Sequence, residues 1–281
     1  LQDMTGIEPT DVPLKDEKVN SIFIGIDGLD IKDPEYKFVH GSYGIPEFGT
    51  AFTRKMLDDT QPKKFADLVR ISGFSHGTDV WLNNAQTLIK EGKAEISTAI
   101  CTRDDIMIYL INKGVESEMS FKIMESVRKG KGLTEEMEAA MLEKGIPDWY
   151  IWSCKKIKYM FPKAHAAAYV MMAWRIGWFK INYPLAYYAA YFSIRADAFS
   201  YELMCQGKEK LEYYIRDYKK RSDSLSKKEQ DTLKDMRLVQ EMYARGFEFL
   251  PIDIYKSKAT RFQIIDGKLL PPFSTIEGMG D

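Results

Sequence analysis

The fold class predicted by the sequence is mainly α, with one small β-hairpin near the end of the chain, and three observations predict it. Apolar residues recur at three- and four-residue spacing through most of the 281 residues. The segments that carry this spacing are bounded by capping residues, Gly or Pro. Only near the C-terminus does the rhythm change, where ATRFQIIDGKLLPPF offers two extended runs around Asp266-Gly267, a strong hairpin signal. No internal repeat of roughly 20 to 50 residues underlies the pattern.

Leu1 to Lys37 is irregular and rich in Asp, Pro and Gly, with one apolar run, SIFIGI, that fits a strand or a short buried helical turn. In YGIPEFGTAFTRKMLDD, Phe48, Phe52 and Met56 stand at i, i+4 and i+8. KKFADLVRISG puts Phe65, Leu68, Val69 and Ser72 on one face, with Gly73 as the stop. Both predict amphipathic helices. Asp79 is the expected cap of VWLNNAQTLIKEG, Thr102 with Asp105 imitates a capping box for RDDIMIYLINKG, and SEMSFKIMESVRKGKG turns Phe121, Met124 and Val127 inward. TEEMEAAMLEKG starts at Thr134 and closes at Gly145. Pro147 suits the first turn of DWYIWSCKKIKYMF, Pro162 breaks that helix, and Pro184 separates Lys163 to Tyr183 from LAYYAAYFSIRA. Two charged helices follow, Tyr201 to Arg221 and, behind a Ser226 to Glu229 capping box, Lys227 to Arg245.

With 45% hydrophobic and 29% charged residues the chain reads as globular, and its formal charge of -1 means that any polyanion must be met by local basic surfaces. Cys101, Cys154 and Cys205 are widely spaced and form no CxxC, so neither a disulfide framework nor a zinc site is expected, and a reducing, cytoplasmic compartment follows. The most membrane-like stretch, His165 to Ile194, is cut by Arg175, Lys180 and Pro184 and predicts a buried helix pair without membrane partners. Leu1 is no initiator methionine, and IEGMGD stops as a new turn begins, so a fragment of something longer is expected.

The chemistry concentrates in WSCKKIKYMFPKAHAAAYVMMAWR. Lys155, Lys156, Lys158 and Lys163 fall close together without an acid between them, and His165 follows at once. On one continuous helix Lys155 and Lys158 share a face with Tyr159, and Lys163 and His165 lie in the first turn of the next helix, a corner suited to phosphate. VRKGKG adds Arg128, Lys129 and Lys131 among glycines, but without the GxxxxGK[ST] spacing of a P-loop. Taken singly, each cluster also fits a solvated helix end whose lysines complement the dipole. Ser75, His76 and Thr78 in ISGFSHGTDVW lack an evident third orienting acid, so they read as a capping turn with polar groups lining a pocket. Adjacent acids such as Asp58-Asp59 and Asp104-Asp105 diverge on a helix and cannot chelate one metal, and no metal site is expected. Tyr159, Phe161 and Tyr169 are interleaved with the cations, as stacking a nucleobase beside its phosphates requires.

At these residues the chain resembles a known family. YGIPEFGT, ISGFSHGTDVWLNNAQ, RDDIMIYL, FKIMESVRKGKGLT and WYIWSCKKIKYMFPKAHAAAYVMMAWRI are similar to the fingers region of PolC-type, C-family bacterial replicative DNA polymerases. PKAHAAAY also echoes the related DNA polymerase III α subunit, whereas Ile24 to Tyr43 departs from the PolC pattern. The resemblance implies a multi-helix fingers domain over residues 41–250, a segment connecting palm to fingers over 1–40, and over 251–281 a β-hairpin leading into a truncated helix-hairpin-helix duplex-binding domain.

Its functional implications are equally definite. The chain would grip the incoming deoxynucleoside triphosphate beside the template-primer, with Arg103, Arg128, Lys129, Lys131, Lys155, Lys158, Lys163 and His165 on the triphosphate. Ser72, Ser75, His76, Tyr159, Phe161 and Tyr169 would wall the nucleobase. No catalytic residue is expected in this chain. The aspartates that bind Mg2+ would lie in an absent palm, and the chain alone would be inactive although the intact protein is a DNA-directed DNA polymerase. Other expected partners are the rest of the polymerase and, through absent regions, the sliding clamp and replisome proteins. The rival expectation is a helical nucleic-acid-binding module that contacts only backbone and has no nucleotide pocket.

Overall fold

A computed structural model describes residues 1–279. Its helices in chain order are α1 Gln2–Thr5, α2 Glu17–Ser21, α3 Ala51–Thr60, α4 Phe65–His76, α5 Gln86–Lys90, α6 Arg103–Asn112 and α7 Ser117–Arg128. They continue as α8 Glu135–Glu143, α9 Asp148–Lys156, α10 Lys163–Asn182, α11 Pro184–Ile194, α12 Tyr201–Met204, α13 Lys208–Lys220 and α14 Lys227–Ala244. Strands β1 Gln263–Ile265 and β2 Lys268–Leu270 pair antiparallel in the register Gln263↔Leu270, Ile264↔Leu269, Ile265↔Lys268. The mainly α class with a terminal hairpin is therefore observed.

Local chemistry sets many of the ends. At α6 the backbone N–H and the hydroxyl of Thr102 both donate to Asp105 Oδ2, at 3.0 and 2.9 Å. At α14 the N–H of Glu229 donates to Ser226 Oγ at 3.2 Å while Ser226 N–H donates to Glu229 Oε2 at 2.8 Å. Thr134 Oγ1 caps α8 by accepting from Met137 N–H, and Pro184 opens α11 at its first position. Between the strands Asp266 and Gly267 both take positive φ, 52° and 72°, as a two-residue hairpin turn requires.

Elsewhere tertiary packing overrides the local reading. SIFIGI resolves as the turn that ends α2, with Val19, Ile22 and Phe23 buried. Helix α4 does not stop at Gly73 but runs to His76, because Ile71, Ser72, Gly73 and Phe74 are all buried and outweigh the ~1 kcal/mol glycine penalty. Phe52 and Phe121 point to solvent: Thr53, Met56 and Leu57 carry the inner face of α3, and Ser120, Ile123, Met124 and Val127 that of α7. Asp79 makes no side-chain cap, and the backbone from Leu82 to Asn84 is not helical. There the buried Asn84 amide donates to the carbonyls of Asp79 and Ser153 at 2.9 and 3.2 Å, and accepts from Ser153 Oγ at 2.5 Å. The expected helix Tyr201 to Arg221 is interrupted at Gly207, whose φ is 98°.

Two compact units result, one of residues 46–174 and the other of 1–45 with 175–281. In the first, α3 to α9 and the start of α10 enclose Met56, Leu68, Phe74, Trp81, Ile106, Ile123 and Trp174. In the second, Phe192, Phe199, Phe249 and Phe262 form an aromatic cluster with centroids 4.9–6.2 Å apart. Among the described residues no helix is long and apolar enough to cross a membrane.

Candidate functional site

The site is built where the loop after α4 meets the segment between α9 and α10. Helix α9 ends at Lys156, Ile157 adopts φ −68° and ψ 131°, and the chain then bends at Lys158 and forms a β-bridge from Tyr159 to Thr78. Lys155 and Lys158 therefore do not share a helical face as the sequence suggested; Pro162 limits the helical option, and buried Ile157 and Met160 hold the segment that leaves the helix. Thr78 N–H donates to the Tyr159 carbonyl at 2.9 Å, and Lys158 N–H donates to the Thr78 carbonyl at 3.0 Å. Gly77 permits that approach, since a Cβ there would lie 2.8 Å from the Tyr159 carbonyl oxygen. Gly130, at φ 72°, lets VRKGKG approach the same segment: a Cβ would fall 2.5 Å from the Lys158 carbonyl oxygen.

His76 is the centre of the site. Its ring stacks on Tyr169 at 5.2 Å and 10°, lies 5.0 Å from Phe161, and Phe161 in turn meets Tyr159 and His165 edge-on at 6.3 and 5.6 Å. His165 and Tyr169 are four residues apart on α10 and share a face. The Ser72 carbonyl lies 2.7 Å from Nδ1, and a carbonyl can only accept, so that nitrogen carries a proton. Ser72 Oγ and Ser75 Oγ each approach Nδ1 at 3.3 Å. Nε2 faces Glu47 Oε2 at 2.6 Å, and Glu47 itself holds a positive φ of 72°. The ring is thus fixed at both nitrogens and on its face.

All six residues expected around a base, Ser72, Ser75, His76, Tyr159, Phe161 and Tyr169, come together here, with Tyr159 and Tyr169 exposed and Ser72 buried. The cations divide into two groups. Arg128 donates bidentately to Glu125 at 2.5 and 2.9 Å and Lys129 pairs with it at 3.0 Å, which holds the Glu125 carboxyl down at about 2. Lys155 pairs with Glu138. Lys131, Lys158, Lys163 and His165 are solvent-exposed. Arg103 N–H donates to the Phe161 carbonyl at 3.2 Å, bringing the start of α6 to the aromatic corner. The first turn of α10 is already served by an acid, since Lys163 N–H donates to Asp104 Oδ2 at 2.7 Å.

Sequence reasoning missed the partners Glu47, Asp104, Glu125 and Glu138. Glu125 was detectable, because three- and four-residue spacing to Arg128 and Lys129 forces pairing on a helix. Glu47 and Asp104 gave no local signal. The arrangement offers a half-exposed set of rings rimmed by cations, suited to a flat π-system that carries negative charge.

Comparison with known proteins identifies the family. Residues 1–146 match the bacterial DNA polymerase III alpha subunit finger domain. The chain belongs to this family. Along all 281 residues, this finger-domain chain is 54% identical to the DNA polymerase III PolC-type of Clostridium perfringens (strain 13 / Type A). It is 52% identical over 281 residues to that of Listeria welshimeri serovar 6b, and 50% over 280 residues to that of Caldanaerobacter subterraneus subsp. tengcongensis. These alignments take in 100% of the chain but only 19%, 19% and 20% of those proteins, so it spans about a fifth of their length. The PolC resemblance read from the motifs is borne out over the whole finger-domain chain.

Proposed function

We propose that this finger domain serves a replicative DNA-directed DNA polymerase by holding the incoming deoxynucleoside triphosphate, base and phosphates together, beside the template-primer. One observation carries the reading: the His76, Phe161, Tyr169 and Tyr159 rings converge at the corner where Lys158, Lys163 and His165 are exposed. Convergence is what separates a nucleotide pocket from a stripe of backbone-binding cations. Glu47 and the Ser72 carbonyl hold the His76 ring as a rigid wall, so Phe161 and Tyr159 present their faces to a base without first being ordered. Lys158, Lys163, Lys131 and, on exchange from their acids, Arg128, Lys129 and Lys155 take the phosphates, with Arg103 at the α6 start. His165 stands where it can give a proton to the departing pyrophosphate.

In the same reading, residues 1–40 connect palm to fingers, 41–250 are the functional fingers and 251–281 lead to a duplex-binding domain. Mg2+ held by palm carboxylates outside this chain would neutralise charge on the transferred phosphoryl group. Among the described residues no group of three or more His, Cys, Asp or Glu is placed to hold a metal ion. The chain then extends no primer alone, works in the cytoplasm, and meets the sliding clamp and replisome proteins only through other regions of the polymerase.

Two variants of the intact polymerase test the pocket. Lys163→Ala is expected to raise KM for nucleotide several-fold, or to lower kcat if its contact forms only in the transition state, with an unchanged melting point. Phe161→Leu is expected to leave triphosphate affinity largely intact and to alter discrimination at the base. If Phe161 merely packs the corner, Phe161→Ala costs about 3–5 kcal/mol of stability and leaves kinetics per folded molecule unchanged, which would refute the pocket.

A further inference from the structure

A cleft of about 530 Å³ opens in the unit of residues 46–174 between α5 and the start of α9, lined by Leu88, Glu91, Lys93, Asp148, Trp149 and Trp152. It shares no residue with the rings around His76 or with the cations assigned to phosphate. Both of its walls are held from behind. Leu88 is 2% exposed and roots α5 in the core, and Ser153 Oγ donates to Asn84 Oδ1 at 2.5 Å, which joins α9 to the segment before α5. Trp149 stands edge-on to Tyr150 at 5.6 Å, and the buried Tyr150 ring stacks on Tyr109 at 4.1 Å. Trp149 is thus placed before any ligand arrives, which lowers the ordering cost of binding.

Tryptophan is mostly buried in folded proteins, yet Trp152 is 38% exposed and Trp149 only half-buried. The charges around the two indoles are spent unequally. Glu91 and Lys93 pair at 2.8 Å. Lys156 Nζ lies 4.5 Å from the centroid of the Trp152 ring without lining the cleft, so that indole already attracts one cation. Asp148 is different: it carries neither an ion pair nor a side-chain hydrogen bond among the described residues. It stands four residues before Trp152 on α9, on the same face. With two carboxylates against one ammonium, and one carboxylate unspent, the lining repels a phosphate chain and favours a cation.

Indole beside carboxylate selects a planar cation. A guanidinium stacks on an aromatic face and meets a carboxylate through two parallel N–H bonds, whereas an ammonium is a strongly hydrated point charge that gains less from stacking. The volume falls within the range of sites that take an organic group. We infer that this cleft docks an arginine-bearing segment of a partner protein, its guanidinium against the Trp149 and Trp152 indoles and paired with the Asp148 carboxylate. Trp and Arg are over-represented among the side chains that carry binding energy at protein interfaces. The site is independent of the corner around His76 and stands whether or not that corner takes a nucleotide.

NMR titration of the full 281-residue chain, read at the indole N–H signals of its five tryptophans, tests the assignment with three blocked tripeptides: acetyl-Gly-Arg-Gly-amide and its Lys and Ala counterparts. The arginine peptide is expected to shift the Trp149 and Trp152 signals saturably and to bind about fivefold more tightly than the lysine peptide, while the alanine peptide shifts neither. Asp148→Asn and Trp152→Leu are each expected to weaken the arginine peptide about fivefold. The Asp148 side chain is exposed, so Asp148→Asn keeps the wild-type melting point and decides alone should Trp152→Leu fail to fold. Absence of a saturable shift with the arginine peptide, an affinity unchanged in Asp148→Asn, or equal binding of the alanine peptide would overturn the proposal. Equal binding of the arginine and lysine peptides would overturn the choice of a guanidinium. A short oligothymidylate that shifts the same two signals would assign the cleft to nucleic acid and overturn the proposal as well.

Discussion

Each of the two units gathers cations, carboxylates and aromatic rings, and water decides what each cluster is for. In residues 1–45 with 175–281, Lys180 Nζ lies 2.8 Å from Glu241 Oε1 and donates to the carbonyls of Gly41 and Tyr43 at 2.8 and 2.7 Å. Tyr188 donates to Glu241 Oε1 at 2.6 Å, and Arg245 donates to the Leu29 and Lys180 carbonyls at 2.8 and 2.9 Å. Lys180 and Glu241 are completely buried, and burial pulls the Lys180 ammonium down to about 8 although Glu241 pushes the other way. In residues 46–174 the His76–Glu47 pair and its rings stay half-exposed, and Lys158 and Lys163 stand in solvent. A sealed network whose donors are spent on carbonyls, the Glu241 carboxylate and the Tyr188 hydroxyl ties the segment 29–44 to α10, α11 and α14. A network left open at its edge keeps donors for a ligand.

The comparison breaks most visibly at Lys180. Lys180→Met leaves Glu241 buried without its cation, with one carboxylate oxygen, Oε2, already lacking a partner among the described residues. The expected loss is about 3–5 kcal/mol, read by denaturant unfolding. Lys163→Met, by contrast, should cost less than about 0.5 kcal/mol, because its side chain is exposed and the substitution keeps the backbone N–H bond to Asp104. Similar losses at the two positions would show that burial does not separate the clusters.

Asp235 sharpens the same contrast, because it is buried with no salt-bridge partner among the described residues, Lys234 acting on it only through its charge. Its carboxyl is pushed from 3.8 up to about 7, chiefly by burial, against one weak bond from Ala198 N–H at 3.3 Å. Between those values the folded chain holds a proton that the unfolded chain has lost. Stability from this group is therefore full below about pH 4 and is lost as pH rises through 7. Relative to Asp235→Asn, the wild type should lose about 2–3 kcal/mol between roughly pH 5 and pH 8, at 1.36 kcal/mol per pKa unit. A constant difference between the two proteins across that range would contradict the burial argument.

What the sequence made legible follows the range of the forces involved. The capping boxes at Thr102 and Ser226, the start of α11 at Pro184 and the hairpin at Asp266-Gly267 are settled by neighbours within a few residues, and all were readable. That Ser72, Ser75, His76, Tyr159, Phe161 and Tyr169 meet was suggested by their lying in two short segments of unusual composition. Their geometry was not: Lys158 leaves the helix because Ile157 and Met160 find the core, and Phe121 turns outward because Ser120, Ile123, Met124 and Val127 hold the buried stripe. Glu47, Arg70 and Asp104 act on residues distant in sequence, so no spacing rule reaches them.

The smallest effect separates cations that look alike in sequence. Lys155 and Lys158 are both exposed, yet Lys155 is paired with Glu138 while Lys158 follows the end of α9 in the segment beside Tyr159. For a lysine to neutralise a phosphate and release a counterion it must face solvent with its charge unspent; one that already shares its charge with a carboxylate releases fewer ions. An exposed pair of this kind contributes about 0–1 kcal/mol to stability, so neither alanine variant should move the melting point appreciably. In DNA binding measured against salt, Lys158→Ala is expected to reduce the slope of log K against log salt by about 0.7–0.9, the value of one phosphate contact. Lys155→Ala should reduce it by less than half as much, and Glu138→Gln should move the slope the other way by freeing Lys155. Equal slopes for Lys155→Ala and Lys158→Ala would mean that the Glu138 pair opens on binding. An unchanged slope in both would place the DNA contact on other residues, and the open edge around His76 would then be reserved for a free nucleotide.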